Sequence, residues 1–151
     1  MEIIKQGRDS RQKVSIAQRR KARRLVLQAI YQWLMSSNEP PEIAAQFREA
    51  NSLKVDWEYF DEVFLCIPLC QKTIEKELVS VVDREINTLD IIEKALLYIG
   101  VFELIYLVDI PYKVVINECV DLAKTFGASE SHKYINGVLD KLSKRLRTDE
   151  I

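Results

Sequence analysis

From Ser15 onward, apolar residues return every three or four positions, the repeat of a helix with one buried face. Ala22, Leu25, Val26, Ala29, Ile30 and Trp33 form the first such stripe. Ser15 is placed to cap this helix, which should end at Ser36-Ser37-Asn38, ahead of Pro40-Pro41. A shorter helix follows Pro41, with Ile43, Ala44 and Phe47 inward and Asn51-Ser52 closing it. Asp56 is a cap for a longer stripe of Tyr59, Phe60, Val63, Phe64, Ile67, Ile74 and Leu78, which Pro68 should kink or split. Residues 83–90 are a polar break. Asp90 then caps an apolar helix from Ile91 to Leu107, rich enough to be central. Gly100 inside it points to close helix packing. Pro111 opens the next helix, which runs to Phe126 and stops at Gly127. Ser129 or Ser131 should cap the last one, with Tyr134, Ile135, Val138, Leu139, Leu142 and Leu146 on one face. No strand and no internal repeat stands out. The expected architecture is all-α, a bundle of six to seven helices. A polar, aperiodic arm covers residues 1–14, one helical domain covers 15–147 and a tail covers 148–151.

Composition supports this reading. The chain has 151 residues, 48% hydrophobic and 30% charged, with only 4 Gly and 4 Pro. That is too few turn residues for a sandwich or barrel and too much apolar content for disorder. No run of apolar residues is long enough to span a membrane, and no signal peptide follows the basic start, so a soluble cytoplasmic protein is expected. The net charge of −1 conceals an asymmetry. Residues 1–24 carry nine basic and two acidic groups, a net +7, and the remainder carries −8. A basic segment on an acidic body is the pattern of a chain that meets a polyanion. The competing reading is a solvated terminus.

The basic residues also share a direction. At about 100° per residue, Arg23, Arg24, Leu27 and Tyr31 lie within about 60° of Arg20, while the core stripe centres about 210° away. Guanidinium groups bind phosphate bidentately, and a tyrosine beside them can stack on an unpaired base, so this face fits single-stranded RNA. No chemistry of comparable specificity stands elsewhere. Glycine-rich phosphate loops are absent, and His132 has no nucleophile at motif spacing. Glu93, Glu103 and Glu118 sit among apolar residues, where a salt bridge or an exposed side chain is the ordinary arrangement. Cys66, Cys70 and Cys119 lack the partners a metal site needs and read as reduced thiols. An enzyme, a metal and a cofactor are therefore not expected.

Three segments carry a resemblance. R-R-K-A-R-R-L-V-L-Q-A-I-Y-Q-W (19–33), I-E-K-A-L-L-Y-I-G-V-F-E-L (92–104) and P-Y-K-V-V-I-N-E-C-V-D-L-A-K-T-F-G (111–127) with S-H-K-Y-I-N-G-V-L-D-K (131–141) are similar, in order and spacing, to the NusB family of bacterial transcription antitermination factors. The resemblance implies two helical subdomains at roughly right angles, without a cofactor. It implies binding of the ribosomal protein NusE, and of single-stranded boxA RNA in nascent ribosomal RNA leaders. It further implies membership of the complex through which RNA polymerase reads past terminators. On this basis Arg19, Arg20, Arg23 and Tyr31 correspond to the RNA-binding helix. Ser131, Lys133 and Tyr134 correspond to further RNA contacts, and Glu93 to the NusE interface. Tyr134 stands where phenylalanine is common, Glu130 where aspartate is familiar, and Val81 where some relatives place a tyrosine. Two alternatives stay open: a structural homodimeric helical protein, or a stand-alone RNA-binding domain like those fused to RNA cytosine methyltransferases. For the methyltransferase itself, 151 residues leave no room for a cofactor domain beside the bundle.

Overall fold

The computed structural model describes residues 14–51 and 54–150. The expected arm, apart from Val14, and the predicted stop at Ser52 lie outside the described residues. Seven α-helices are present among those described: α1 (Ile16–Met35), α2 (Pro40–Ala50), α3 (Trp57–Cys66), α4 (Gln71–Val79), α5 (Ile91–Tyr106), α6 (Tyr112–Phe126) and α7 (Ser131–Leu146). They divide into two compact units, one ending at Cys66 and the other beginning at Ile67.

Local sequence accounts for most boundaries. Ser15 accepts from the Gln18 N–H while Gln18 returns a bond to the Ser15 N–H, a reciprocal capping box that starts α1. Asp90 accepts from the N–H groups of Ile92 and Glu93 and starts α5. Pro68 splits the third stripe as expected. A short 3₁₀ turn, Pro68–Cys70, separates α3 from α4. One expectation fails. The last helix has Glu130 at its cap without a side-chain bond, and Ser131 is already its first residue. Gly127 ends α6 in an extended rather than left-handed conformation. Glycine is needed there because a Cβ would fall 2.8 Å from the Ala123 carbonyl oxygen.

In the first unit α1 packs against both α2 and α3. Leu25, Val26, Ala29 and Ile30 of α1, Ile43 of α2, and Phe60, Val63 and Phe64 of α3 are all buried and form its core. Phe60 touches Phe47, Trp57 and Phe64 in edge-on and tilted arrangements, the geometries aromatic rings prefer.

In the second unit α5 is central. Every residue from Ala95 to Leu104 is buried, and α4, α6 and α7 pack around it. Gly100 permits this, since a Cβ there would lie 2.8 Å from the methyl carbons of Leu139 on α7. Glu103 is fully buried, not exposed. Tyr98 is buried as well. Its hydroxyl donates to Glu75 and accepts from Gln71, and burial raises its pKa.

The C-terminal end of α5 is closed by one side chain. Arg147 is 2% exposed. Its guanidinium donates to the carbonyl oxygens of Leu104 at 2.8 Å, Ile110 at 2.9 Å, and Glu103 and Leu107 at 3.1 Å. It also pairs with Glu150, which in turn accepts from the Tyr112 N–H at the start of α6. The last carbonyls of a helix have no partners within it, and a cation placed there also meets the negative end of the dipole. Each buried acceptor left unpaired costs about 1–3 kcal/mol. Arg147→Ala is therefore expected to lower stability by about 3 kcal/mol or more in urea unfolding. Arg147→Lys should recover only part of this, because an ammonium group cannot span the same set of acceptors. A loss under about 1 kcal/mol for the alanine variant would show that water replaces the guanidinium.

Candidate nucleic-acid interface

The arginine-rich segment sits in the first two turns of α1, and its residues do not share one fate. Arg20, Lys21 and Arg24 are exposed, and Tyr31 is 40% exposed further along the helix. Arg23 is only 2% exposed, and Leu27, on the same side, is 1% exposed. The expectation that Arg23 faces outward is corrected. The reason is that α1 is covered on two flanks, by α2 and α3, so the buried arc is wider than the apolar stripe alone indicates.

Arg23 and Arg19 converge on Tyr59 of α3. Their guanidinium carbons lie 5.0 Å and 5.3 Å from its ring centroid. Arg19, partly exposed, donates through Nε to Oδ2 of buried Asp56 at 2.7 Å. The other oxygen of Asp56 caps α3 by accepting from the Tyr59 N–H, and its own N–H donates to the Gln18 carbonyl. One carboxylate thus starts α3 and fixes the base of α1. Arg19 and Arg23 are built into this junction, and Arg20, Arg24 and Tyr31 are presented to solvent.

The remaining candidates lie in the second unit. Glu93, in the first turn of α5, accepts from the Ser131 hydroxyl at 2.9 Å. Ser131 is buried, so its hydroxyl is committed to α5 rather than offered to solvent. The candidate partner residue and a candidate RNA residue are therefore in contact. Glu93 shows no lysine pair within its own helix among the described contacts. Lys133 is exposed and bridges to Glu130 at 3.1 Å. Tyr134 is half-buried, and its hydroxyl oxygen is buried without a hydrogen bond among the described residues. The Arg84 guanidinium covers its ring at 4.3 Å and pairs with Asp83. Burial raises the Tyr134 phenol pKa, with Arg84 opposing the shift. Val81, Asp83, Lys133, Tyr134, Gly137, Val138 and Lys141 line a shallow groove of about 180 Å³ at this place. Arg84 was not legible as a site residue, because it stands in the polar break before α5 and no helical repeat orients it. Among the described residues no cluster of His, Cys, Asp and Glu could hold a metal ion, and no helix is long and apolar enough to cross a membrane.

Fold and surface define an all-helical protein that presents basic groups from α1 and again beside an aromatic groove on α7. The chain belongs to the NusB family, whose model matches residues 20–144. It is 48% identical over 141 residues to the transcription antitermination protein NusB of Legionella pneumophila strain Corby, covering 93% of this chain and 96% of that one. The Acinetobacter baylyi protein of the same name is 48% identical over 135 residues, 89% and 91% of the two chains. Among solved structures, a chain of the antitermination factors NusB and NusE in complex with double-stranded RNA matches with a TM-score of 0.78 at 25% identity. That match covers 87% of this chain and 99% of the other. A Thermotoga maritima NusB structure shares the fold, with a TM-score of 0.72.

The two classes of arginine in α1 are separable by stability alone. Arg23→Ala removes a buried cation from Tyr59 and is expected to cost about 1–3 kcal/mol in urea unfolding. Arg20→Ala, at an exposed position, should stay within about 0.5 kcal/mol of wild type. Equal effects of the two substitutions would contradict the division.

Proposed function

We propose that this chain binds boxA RNA in nascent ribosomal RNA leaders together with the ribosomal protein NusE. In that complex it promotes read-through by RNA polymerase, acting in the cytoplasm as a binding protein and not as an enzyme. The observation that carries the reading is the match to a NusB chain solved with NusE and RNA, which spans nearly all of that chain. It is supported by the relatives named transcription antitermination protein at 48% identity.

The electrostatics fit both ligands. Arg20 and Arg24 stand in solvent as phosphate-binding groups, with Tyr31 on the same helix as a stacking surface. Arg19, Ser131, Lys133 and Tyr134 are the further RNA residues of this reading. Buried Arg23 and Ser131 act by holding neighbouring groups rather than by direct contact. The acidic excess outside residues 1–24 favours encounter with a basic ribosomal protein, and Glu93 is assigned to that surface. The preference for a single strand rests on the aromatic groups, because every unpaired base offers a face to stack on.

Two measurements test the reading. Arg20→Ala should weaken binding of labelled boxA RNA and flatten the slope of log K against log salt by about 0.7. Single- and double-stranded forms of the oligonucleotide, titrated side by side, distinguish the strand preference. Unchanged affinity and slope in a folded variant would reduce the basic face to solvated charge. In calorimetry, Glu93→Lys should weaken NusE binding at least tenfold, about 1.4 kcal/mol. Glu93→Gln, which keeps an acceptor for Ser131, should lose less. Equal NusE affinities for wild type and Glu93→Lys would remove Glu93 from the partner surface.

A further inference from the structure

The groove beside Tyr134 contains a glycine that the fold does not require. Gly137 stands in the interior of α7, where glycine is the least favourable residue after proline. A Cβ built there meets nothing within 4 Å. The contrast with Gly100 is direct, since a Cβ at Gly100 would collide with Leu139. Packing explains one helical glycine and leaves the other without an internal reason. A bare patch of helix backbone open to solvent permits close approach by something outside the protein.

The surroundings of Gly137 specify what approaches. Lys133 and Lys141 lie one turn before and one turn after it on the exposed side of α7, about 12 Å apart along the axis. Arg84 holds a third cation over the Tyr134 ring, its side chain about half exposed. Asp83 lines this groove and pairs with Arg84, and Glu130 bridges to Lys133 beside it. The neighbouring cleft that Arg84 also borders is lined by Glu75, Asp83 and Glu85, which directs an anionic strand toward the lysine side. Arg84 and Lys133 are ion-paired with Asp83 and Glu130, Lys141 adds a further cation, and beside the aromatic ring these donors suit a phosphate backbone with bases able to stack.

We propose that Arg84, Gly137 and Lys141 extend the RNA-binding site. The sugar–phosphate strand crosses α7 at Gly137, its phosphates lie between Lys133 and Lys141, and Arg84 binds the phosphate next to the base that stacks at Tyr134. This rests on the RNA-binding function proposed above.

The test pairs thermal melting with binding of labelled boxA RNA for wild type, Arg20→Ala, Gly137→Ala and Arg84→Ala. Gly137→Ala should melt at a higher temperature than wild type, because alanine favours the helix and meets no obstruction. It should nevertheless bind RNA about tenfold more weakly. Arg84→Ala should bind more weakly with a salt slope reduced by about 0.7. If Gly137→Ala melts lower, or binds as well as wild type, the open glycine is not a place of approach and the proposal falls. Tighter binding by Arg84→Ala would make Arg84 a shield over Tyr134 and overturn its assignment. If wild type binds and Arg20→Ala weakens that binding while the Arg84 and Gly137 variants match wild type, only this extension fails. Absence of RNA binding by wild type, with and without NusE, would remove the proposed function itself.

Discussion

The second unit depends on a charge buried where charges are costly. Arg147 enters the protein interior only because five acceptors surround it, four of them carbonyls at and just beyond the C-terminus of α5. Desolvating a guanidinium is unfavourable unless its donors are satisfied; here they are, by the Leu104 and Ile110 carbonyls and by those of Glu103 and Leu107, which also accept backbone N–H groups. The same contact ties α7 to α5 directly and reaches α6 through Glu150. With the C-terminal end of α5 held, its N-terminal turn carries Glu93 to Ser131, and the groove on α7 has a fixed floor.

The first unit uses arginine in the same structural manner and in a second one. Arg19 and Arg23 are drawn to Tyr59 and Asp56, so the junction of α1 and α3 is electrostatic as well as apolar. Arg20 and Arg24, one position away in each case, project outward. A cluster of like charges on one helix would repel itself; placing half of it against a carboxylate and an aromatic face relieves that repulsion. The outward half stands on a helix whose orientation the inward half has set, and in the proposed function it is the half that meets phosphate.

Glu93 and Ser131 link the two proposed ligand surfaces of the second unit. Ser131 belongs to the helix that carries Lys133 and Tyr134, and its hydroxyl is given to Glu93. A protein partner that engages this carboxylate acts on a hydrogen bond anchoring the first turn of α7. In the proposed function, the carboxylate assigned to the protein partner thus anchors the helix turn that presents Lys133 and Tyr134 to RNA.

Periodicity and caps determined the helices. The Ser15, Asp56 and Asp90 caps and the break at Pro68 were legible because each acts over a few residues through sterics or a local hydrogen bond, and the tight approach at Gly100 because a glycine inside an apolar helix has no other local reason. The family was legible from three ordered segments, and with it most of the candidate residues. What one helix wheel could not reveal was how many neighbours a helix has. Arg23 and Leu27 lie far enough from the apolar stripe to look exposed, and two flanking helices bury both. Ser131 read as a cap and became a cross-helix donor, because Glu93 from a distant segment offers a stronger acceptor than its own turn. Arg84, in a stretch without period, and Arg147, near the end of the chain, had no local signal at all. The ring that Arg84 covers and the carbonyls that Arg147 meets lie tens of residues away in sequence, so only tertiary packing decided that one would cover an aromatic ring and the other would close a helix.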